Sequence, residues 1–249
     1  MLEFSDGQLE SETEILQHFI AMQVEGVVIF SGLLSQRSSS FRNLQQAGIP
    51  VVLIDPCAPS SRGTVWIDRA AAIAKVTKHL VQLGHRRFAA LGIDPLSYYG
   101  TMRSQALEEN LAPPHVPGGA SLLNFFEPKA WQMDFEYGWR LAERVLAESK
   151  RPTALIALSD RVAFGAMEFL KRHKFRVPHD FSIVGYDNSD LSTFAVPALT
   201  TVDPQVDLLI EHGVKMLLHD IAKAKGPQKA SQRIEPRLVV RSSTAPPPR

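Results

Sequence analysis

The strongest constraint on this chain is a rhythm in which short runs, mostly apolar rather than alternating, give way to longer segments whose apolar residues recur at helical spacing. The short runs lie at 24–30, 51–54, 64–67, 88–92, 121–125, 154–158 and 182–185. Helical patterns lie at 10–22, 41–47, 68–83, 102–110 and 135–148, and a further one opens at Asp160 and runs through Val162, Ala163, Ala166, Met167 and Leu170. A strand that is apolar on both faces must be covered on both faces. The expected architecture is therefore α/β, with parallel sheets wound on both sides by helices. Gly48-Ile49-Pro50 and Gly84 read as helix stops, while Asp68 and Asp160 stand where N-caps are expected.

In such sheets ligands collect beyond the carboxyl ends of the strands, so function is expected just after the apolar runs. The residues there are Ser31, Asp55, Ser159 with Asp160, and Asp187 with Asn188. A strand-exit carboxylate offers two acceptor oxygens to a polyol or nucleobase. Asp187 is read as such an acceptor, or else as the cap of a turn with Asn188. Asp55 is read the same way, or as a turn residue before Pro56. Asp160 is expected to cap the following helix, which leaves Ser159 for the ligand.

The chain has 249 residues, 27 Lys and Arg against 26 Asp and Glu, so it lacks the positive excess that holds a phosphate backbone. DNA binding by these residues alone is not expected. Cys57 is the single cysteine and cannot form an internal disulfide, and the opening Met-Leu-Glu-Phe-Ser-Asp is acidic, unlike an export signal. Both features point to the cytoplasm. No apolar run approaches the roughly 20 residues that span a bilayer, so no membrane role is expected. A Gly-rich phosphate loop, a zinc-type His-Glu pair and a Gly-x-Ser-x-Gly elbow are all missing from the sequence, which argues against an enzyme, a metal or a cofactor. The eight histidines are scattered, and His85 is expected to hydrogen-bond locally or to meet a helix end.

From Pro152 onward the chain reads P-T-A-L-I-A-L-S-D-R-V-A-F-G-A, then V-P-H-D-F-S-I-V-G-Y-D-N and P-A-L-T-T-V. These ordered motifs resemble the lactose/galactose-repressor family. L-V-Q-L-G-H-R-R at 80–87 and P-R-L-V-V-R-S-S-T at 236–244 extend the resemblance over nearly the whole chain. It implies two doubly wound lobes of the periplasmic-binding-protein-like type: an N-terminal lobe over 1–92 with a return at 203–219, a C-terminal lobe over 93–202, and a closing strand and disordered tail over 220–249. It also implies a sugar or similar metabolite held between the lobes, a homodimer, and operator DNA reached only through a helix-turn-helix that this chain does not include.

The resemblance assigns ligand contacts to Asp55, Ser159 and Asp187, and a ring that stacks on the ligand to one of Phe125, Trp131 and Phe135, the others being core. The family usually has an Arg near the start of the helix containing Ala106. Here that position holds Tyr99, which can donate one hydrogen bond and stack but cannot clamp, with Arg103 available from the next turn. At the front, the first strand and helix of the N-terminal lobe are expected to be missing, with residues 2–5 ending the second strand and Leu2 and Phe4 beside an open sheet edge. Two other classes share this architecture: a solute-binding protein of a sugar uptake system, and an enzyme on a similar scaffold.

Overall fold

A computed structural model describes residues 1–5, 8–31, 38–57, 62–128, 134–222 and 230–248. In chain order its elements are α1 (Leu9–Ala21), β1 (Val27–Phe30), α2 (Ser39–Gln46), β2 (Val51–Ile54), β3 (Thr64–Ile67), α3 (Arg69–Gln82), β4 (Arg87–Leu91), α4 (Tyr98–Leu111) and β5 (Ser121–Phe125). There follow α5 (Phe135–Ala147), β6 (Ala154–Ala157), α6 (Asp160–Arg172), β7 (Ser182–Tyr186), α7 (Asp190–Phe194), β8 (Thr200–Asp203), α8 (Val206–Ala222), β9 (Gln232–Ile234) and β10 (Arg237–Val239).

The chain forms two compact units, Met1–Asp68 with Gln205–Ile234, and Arg69–Pro204 with Glu235–Arg249. In the first, four parallel strands run in the order β1-β2-β3-β9. Because successive side chains on a strand point to opposite faces, each all-apolar run feeds two cores. Val27, Ile29, Val51 and Leu53 pack with Leu16, Phe41 and Leu44 of α1 and α2. Val52, Ile54, Val65 and Ile67 pack with Leu209 and Met216 of α8.

The second unit repeats the plan with the strand order β10-β8-β7-β6-β4-β5, parallel except for β10. Ala89, Leu91, Leu155, Ala157 and Ile183 face α5 and α6, while Phe88, Ala90, Ala154, Ile156 and Val184 face α3 and α4. Strand order reverses between β4 and β6, because β4 leads outward to β5 and the chain then returns to β6. In open α/β sheets such a switch point is where the crevice for a ligand forms.

The structure differs from the sequence reading in several places. The first unit ends at Asp68 rather than near residue 92. The reason is that β4 hydrogen-bonds to both β5 and β6 and so belongs to the second sheet. The chain passes between the units three times, at 68/69, 204/205 and 234/235. The closing segment ahead of the proline tail is fastened to the second sheet: Ser242 N donates to Ala198 O at 3.0 Å, Ser243 Oγ to Ile183 O at 2.6 Å and Ala245 N to Ser182 Oγ at 2.9 Å. His85, 1% exposed, ties this segment down through Thr153 Oγ1 at 2.8 Å, Ser182 Oγ at 3.0 Å and Ala245 O at 2.9 Å. Its burial lowers its pKa, so it acts as a neutral structural link. Residues 1–5 form no strand, although Leu2 and Phe4 are exposed and β1 has a strand partner on one side only among the described residues.

Within the second unit, α5 and α6 cross with their backbones in contact. A Cβ at Gly165 would lie 1.8 Å from Phe135 O, and one at Gly138 would lie 1.9 Å from Val162 O.

Candidate functional site

The switch point of the second sheet opens onto the exits of β4 and β6, and the loop after β7 lies beside them. Ser97 caps α4 by accepting from Gly100 N at 3.1 Å. Gly100 lets that first turn rest on the β4 exit, since a Cβ there would meet Asp94 O at 1.7 Å. Tyr98 and Tyr99 therefore stand at the mouth of the crevice, with rings edge to face at 5.4 Å. The guanidinium of Arg69, in the first turn of α3, lies 3.8 Å from the centre of the Tyr99 ring. One turn further along α4, the Arg103 guanidinium lies 4.6 Å from the centre of the Tyr186 ring at the end of β7. Both arginines are buried, Arg69 at 7% and Arg103 at 9% exposure.

Asp187 and Asn188 follow β7 with φ of 105° and 51°, a left-handed pair that turns the chain sharply out of the sheet. Thr201 and Arg241 hold the turn. Asn188 N donates to Thr201 Oγ1 at 3.3 Å, Asn188 Oδ1 accepts from Arg241 at 2.7 Å, and Arg241 also donates to Leu199 O at 2.8 Å. Nearby protein atoms desolvate the Asp187 carboxyl, and Asp160 adds a like charge, so its pKa is pushed up to about 7 against the pull of Arg103. The residue as a whole still presents an exposed surface, so its carboxyl is crowded on one side and wet on the other.

The neighbouring Ser159 and Asp160 exchange the roles expected of them. Ser159 has the extended backbone of an N-cap and its Oγ accepts from Val162 N at 3.2 Å, so it is Ser159 that caps α6. Asp160, 1% exposed, accepts from Thr201 Oγ1 at 2.5 Å, Ser189 N at 2.7 Å and Ser189 Oγ at 2.9 Å. It ties the β6 exit to β8 and to the start of α7. Gly185 makes room for it, because a Cβ there would lie 2.2 Å from Asp160 Oδ1. Burial raises the Asp160 pKa, and the three hydrogen bonds and Arg241 oppose that rise.

The other expected residues fall as follows. Phe125 is 4% exposed and packs in the core with Tyr137 and Leu141, so it does not offer a stacking face; as the last residue of β5 its parity turns it toward α5. Trp131 lies outside the described residues, and Phe135 is exposed at the start of α5. Asp55 belongs to the first unit. It is 6% exposed, has φ 51°, and its Oδ1 accepts from Ile67 N at 3.3 Å, which fastens β2 to β3. Ser31 donates to Glu12 Oε1 at 2.7 Å. Among Asp55, Tyr99, Arg103, Ser159 and Asp187, the last four lie in the second unit; Arg103 is within electrostatic reach of Asp187 and of Arg69, which stacks on Tyr99, while Ser159 is taken up by its helix cap.

Sequence reasoning missed Arg69, Tyr186 and Arg241. A signal for Arg69 existed: a cation in the first turn of a helix opposes the macrodipole, and burying it there adds a desolvation cost. No group of three or more His, Cys, Asp or Glu side chains among the described residues is arranged to hold a metal ion.

The raised pKa of Asp187 sets the direction of a pH effect. The folded-state value lies above the ordinary 3.8, so its contribution to stability is fully present below that value and is lost as pH rises through about 7. Asp187→Asn removes this slope and keeps a residue tolerant of positive φ. The variant is expected to melt higher than the parent at pH 8, with the gap closing toward pH 4. Paired melts across that range check it, and a gap that stays constant with pH would remove Asp187 as its source.

Comparison with known proteins places this geometry in a family. Residues 77–244 match the periplasmic binding protein-like domain. Over 244 residues the chain is 31% identical to an HTH-type transcriptional regulator encoded in the aml 5' region of Streptomyces limosus, covering 94% of this chain and 67% of that protein. The chain belongs to the lactose-repressor family of transcriptional regulators. This lactose-repressor-family core is also 29% identical over 235 residues to the HTH-type transcriptional repressor PurR of Mannheimia succiniciproducens, covering 92% of the chain and 66% of that repressor. It spans about two thirds of the length of these relatives.

Solved structures bear out the fold of the lactose-repressor-family core. An uncharacterized protein from Actinobacillus succinogenes superposes with a TM-score of 0.83 at 26% identity, over 98% of this chain and 87% of that one. A family regulator from Enterococcus faecium, solved with bound ribose, superposes with a TM-score of 0.79 at 24% identity, over 94% and 84%. The curated relatives are regulators rather than enzymes or transport proteins. None of the described helices is long and apolar enough to cross a membrane.

Proposed function

We propose that this chain is the effector-binding and dimerisation core of a cytoplasmic, non-enzymatic transcriptional regulator that senses a sugar or related small metabolite. The observation that carries the reading is the convergence of Tyr99, Arg103, Tyr186 and Asp187 at the switch point of a doubly wound sheet. The set combines flat rings, fixed donors and a carboxylate acceptor, which is what a small polar ring compound requires. The names of the relatives and the ribose held by the Enterococcus faecium neighbour support the ligand class. An effector that prefers one conformation of the dimer shifts the population that holds operator DNA, with the DNA contacted through a helix-turn-helix outside this core. The formal net charge of +1 gives the core itself little purchase on a phosphate backbone.

Thermal melting against a panel of pentoses, hexoses and their derivatives tests the reading. A ligand at about 100 times its Kd adds about 2.7 kcal/mol, which is a rise of roughly 5 to 10 °C for a chain of this size. Asp187→Ala is expected to abolish the rise. A rise unchanged in that variant would move the ligand elsewhere. Mobility shifts with the complete regulator and its upstream DNA provide the second arm: failure to retard that DNA with or without effector would favour a solute-binding protein instead.

A further inference from the structure

We propose that the effector is an anion, a sugar or similar metabolite carrying a carboxylate or a phosphate that Arg69 and Arg103 engage together. The inference rests on the sensor reading above and narrows its ligand class.

Two guanidiniums, each more than nine-tenths buried, converge on the mouth of one crevice. Each is backed by a tyrosine ring, at 3.8 Å for Arg69 and 4.6 Å for Arg103. They are close enough that the charge of Arg69 works against that of Arg103, whose pKa burial has already lowered. Buried cations are normally compensated by a carboxylate in direct contact. Arg103 makes no ion pair within 4 Å among the described residues, and its Nε is buried with no hydrogen-bond partner.

Asp68, next to Arg69 in sequence, pairs with Arg233 at 3.1 Å, and the carboxylates on the Arg103 side do not supply the missing charge either. Asp160 is committed to Ser189 and Thr201. Asp187 acts on Arg103 only at a distance and is itself crowded into a partly protonated state at neutral pH. The backbone adds to the same sign. α3 and α4 both begin at this mouth and neither has an acidic residue within its first turn, so their N-terminal amides add positive potential there, offset in part by Asp68 just before α3 and Asp94 just before α4. A neutral polyol would leave this potential standing, whereas a carboxylate or phosphate oxygen offers the acceptor that a fixed guanidinium fork takes up in preference to a hydroxyl. Beside Arg103, Gly185 and Tyr186 is a void of about 10 Å³, room for one water that could serve the orphan Nε without any ligand. The experiment therefore has to separate ligand from solvent.

Isothermal calorimetry on the full chain compares matched pairs that differ in charge: ribose with ribose 5-phosphate, and glucose with gluconate and glucose 6-phosphate, with inorganic phosphate as a control. The expected result is that a charged member binds about tenfold or more tighter than its neutral partner, and that this preference shrinks with added NaCl. Arg103→Met is expected to erase the preference while melting at least as high as the parent, since an uncompensated buried cation is replaced by an apolar chain of similar length. Arg69→Gln should weaken the charged ligand without touching the apolar core, which keeps the test readable if Arg103→Met folds poorly. Equal or tighter binding of the neutral members overturns the anion proposal and leaves the sensor reading intact. Binding of inorganic phosphate as tight as that of the sugar derivatives marks an adventitious ion only and also overturns it. If no sugar or derivative binds at all, the sensor reading fails and the proposal falls with it.

Discussion

Gly165→Ala is expected to destabilise the second unit by about 4 kcal/mol, near the top of the range for a single added methyl. The new Cβ would sit 1.8 Å from Phe135 O, 2.8 Å from its carbonyl carbon and 2.9 Å from Trp139 N. None of these is the end of a flexible side chain. An ordinary carbon to carbonyl-oxygen contact is about 3.3 Å or more, so α5 must move away from α6 by a considerable part of the difference. That movement also opens the layer where Leu141, Ala142 and Val145 pack against Val162, Ala166 and Leu170, and a loosened layer loses dispersion contacts throughout. Urea unfolding gives the number. Because Gly138 makes the reciprocal contact with Val162 O, the same separation would accommodate both methyls, and the double variant should cost clearly less than the sum of the singles. A loss below about 1 kcal/mol for Gly165→Ala would mean that the helices do not touch backbone to backbone.

Asp160→Ala is the second large effect, about 3 kcal/mol. The substitution leaves the Ser189 amide and the hydroxyls of Ser189 and Thr201 without the acceptor they now share. Each orphaned buried donor costs free energy in its own right. Part of the loss is offset because the carboxylate is itself desolvated, as its raised pKa records. Asp160→Asn keeps one acceptor oxygen and removes the charge, so it should lose much less. A fall in melting temperature of roughly 6 to 12 °C is expected for the alanine variant. It should be accompanied by weaker effector binding, because Ser189 and Thr201 also steady the turn that presents Asp187. Alanine and asparagine variants of equal stability would show that the hydrogen bonds at this carboxylate contribute little.

The strands and most helices were legible because period-two and period-3.6 patterns are direct records of which side faces a core. The start of α4 was missed by a turn, since Tyr98 to Thr101 have no apolar period and only Ser97 marks the beginning. β9 is three residues with two polar side chains, too short to carry a pattern. The boundary between units was misplaced because membership of a sheet is decided by long-range pairing, which no local signal reports. At the site, carboxylates at strand exits were found by position alone. Ser159 and Asp160 could not be told apart, as both residue types cap helices and the deciding backbone angles are set by where β6 ends. Arg69 and Tyr186 went unread because their partners, Tyr99 and Arg103, are 30 and 83 residues away in sequence.

The threefold passage of the chain between its units has a consequence for how the protein is made. On the ribosome, residues 69–204 emerge with the central strands of the second sheet, yet β10 and the segment that fastens Ser182 and His85 come only after residue 234. The first sheet waits just as long, for α8 and β9. Neither unit can close vectorially as its own stretch leaves the exit tunnel, and a nascent chain halted near residue 204 would hold two sheets with uncovered apolar faces or unpaired edges. Such a chain is a client for holding chaperones until its last segment is released, and early termination between 204 and 234 leaves both units incomplete at once.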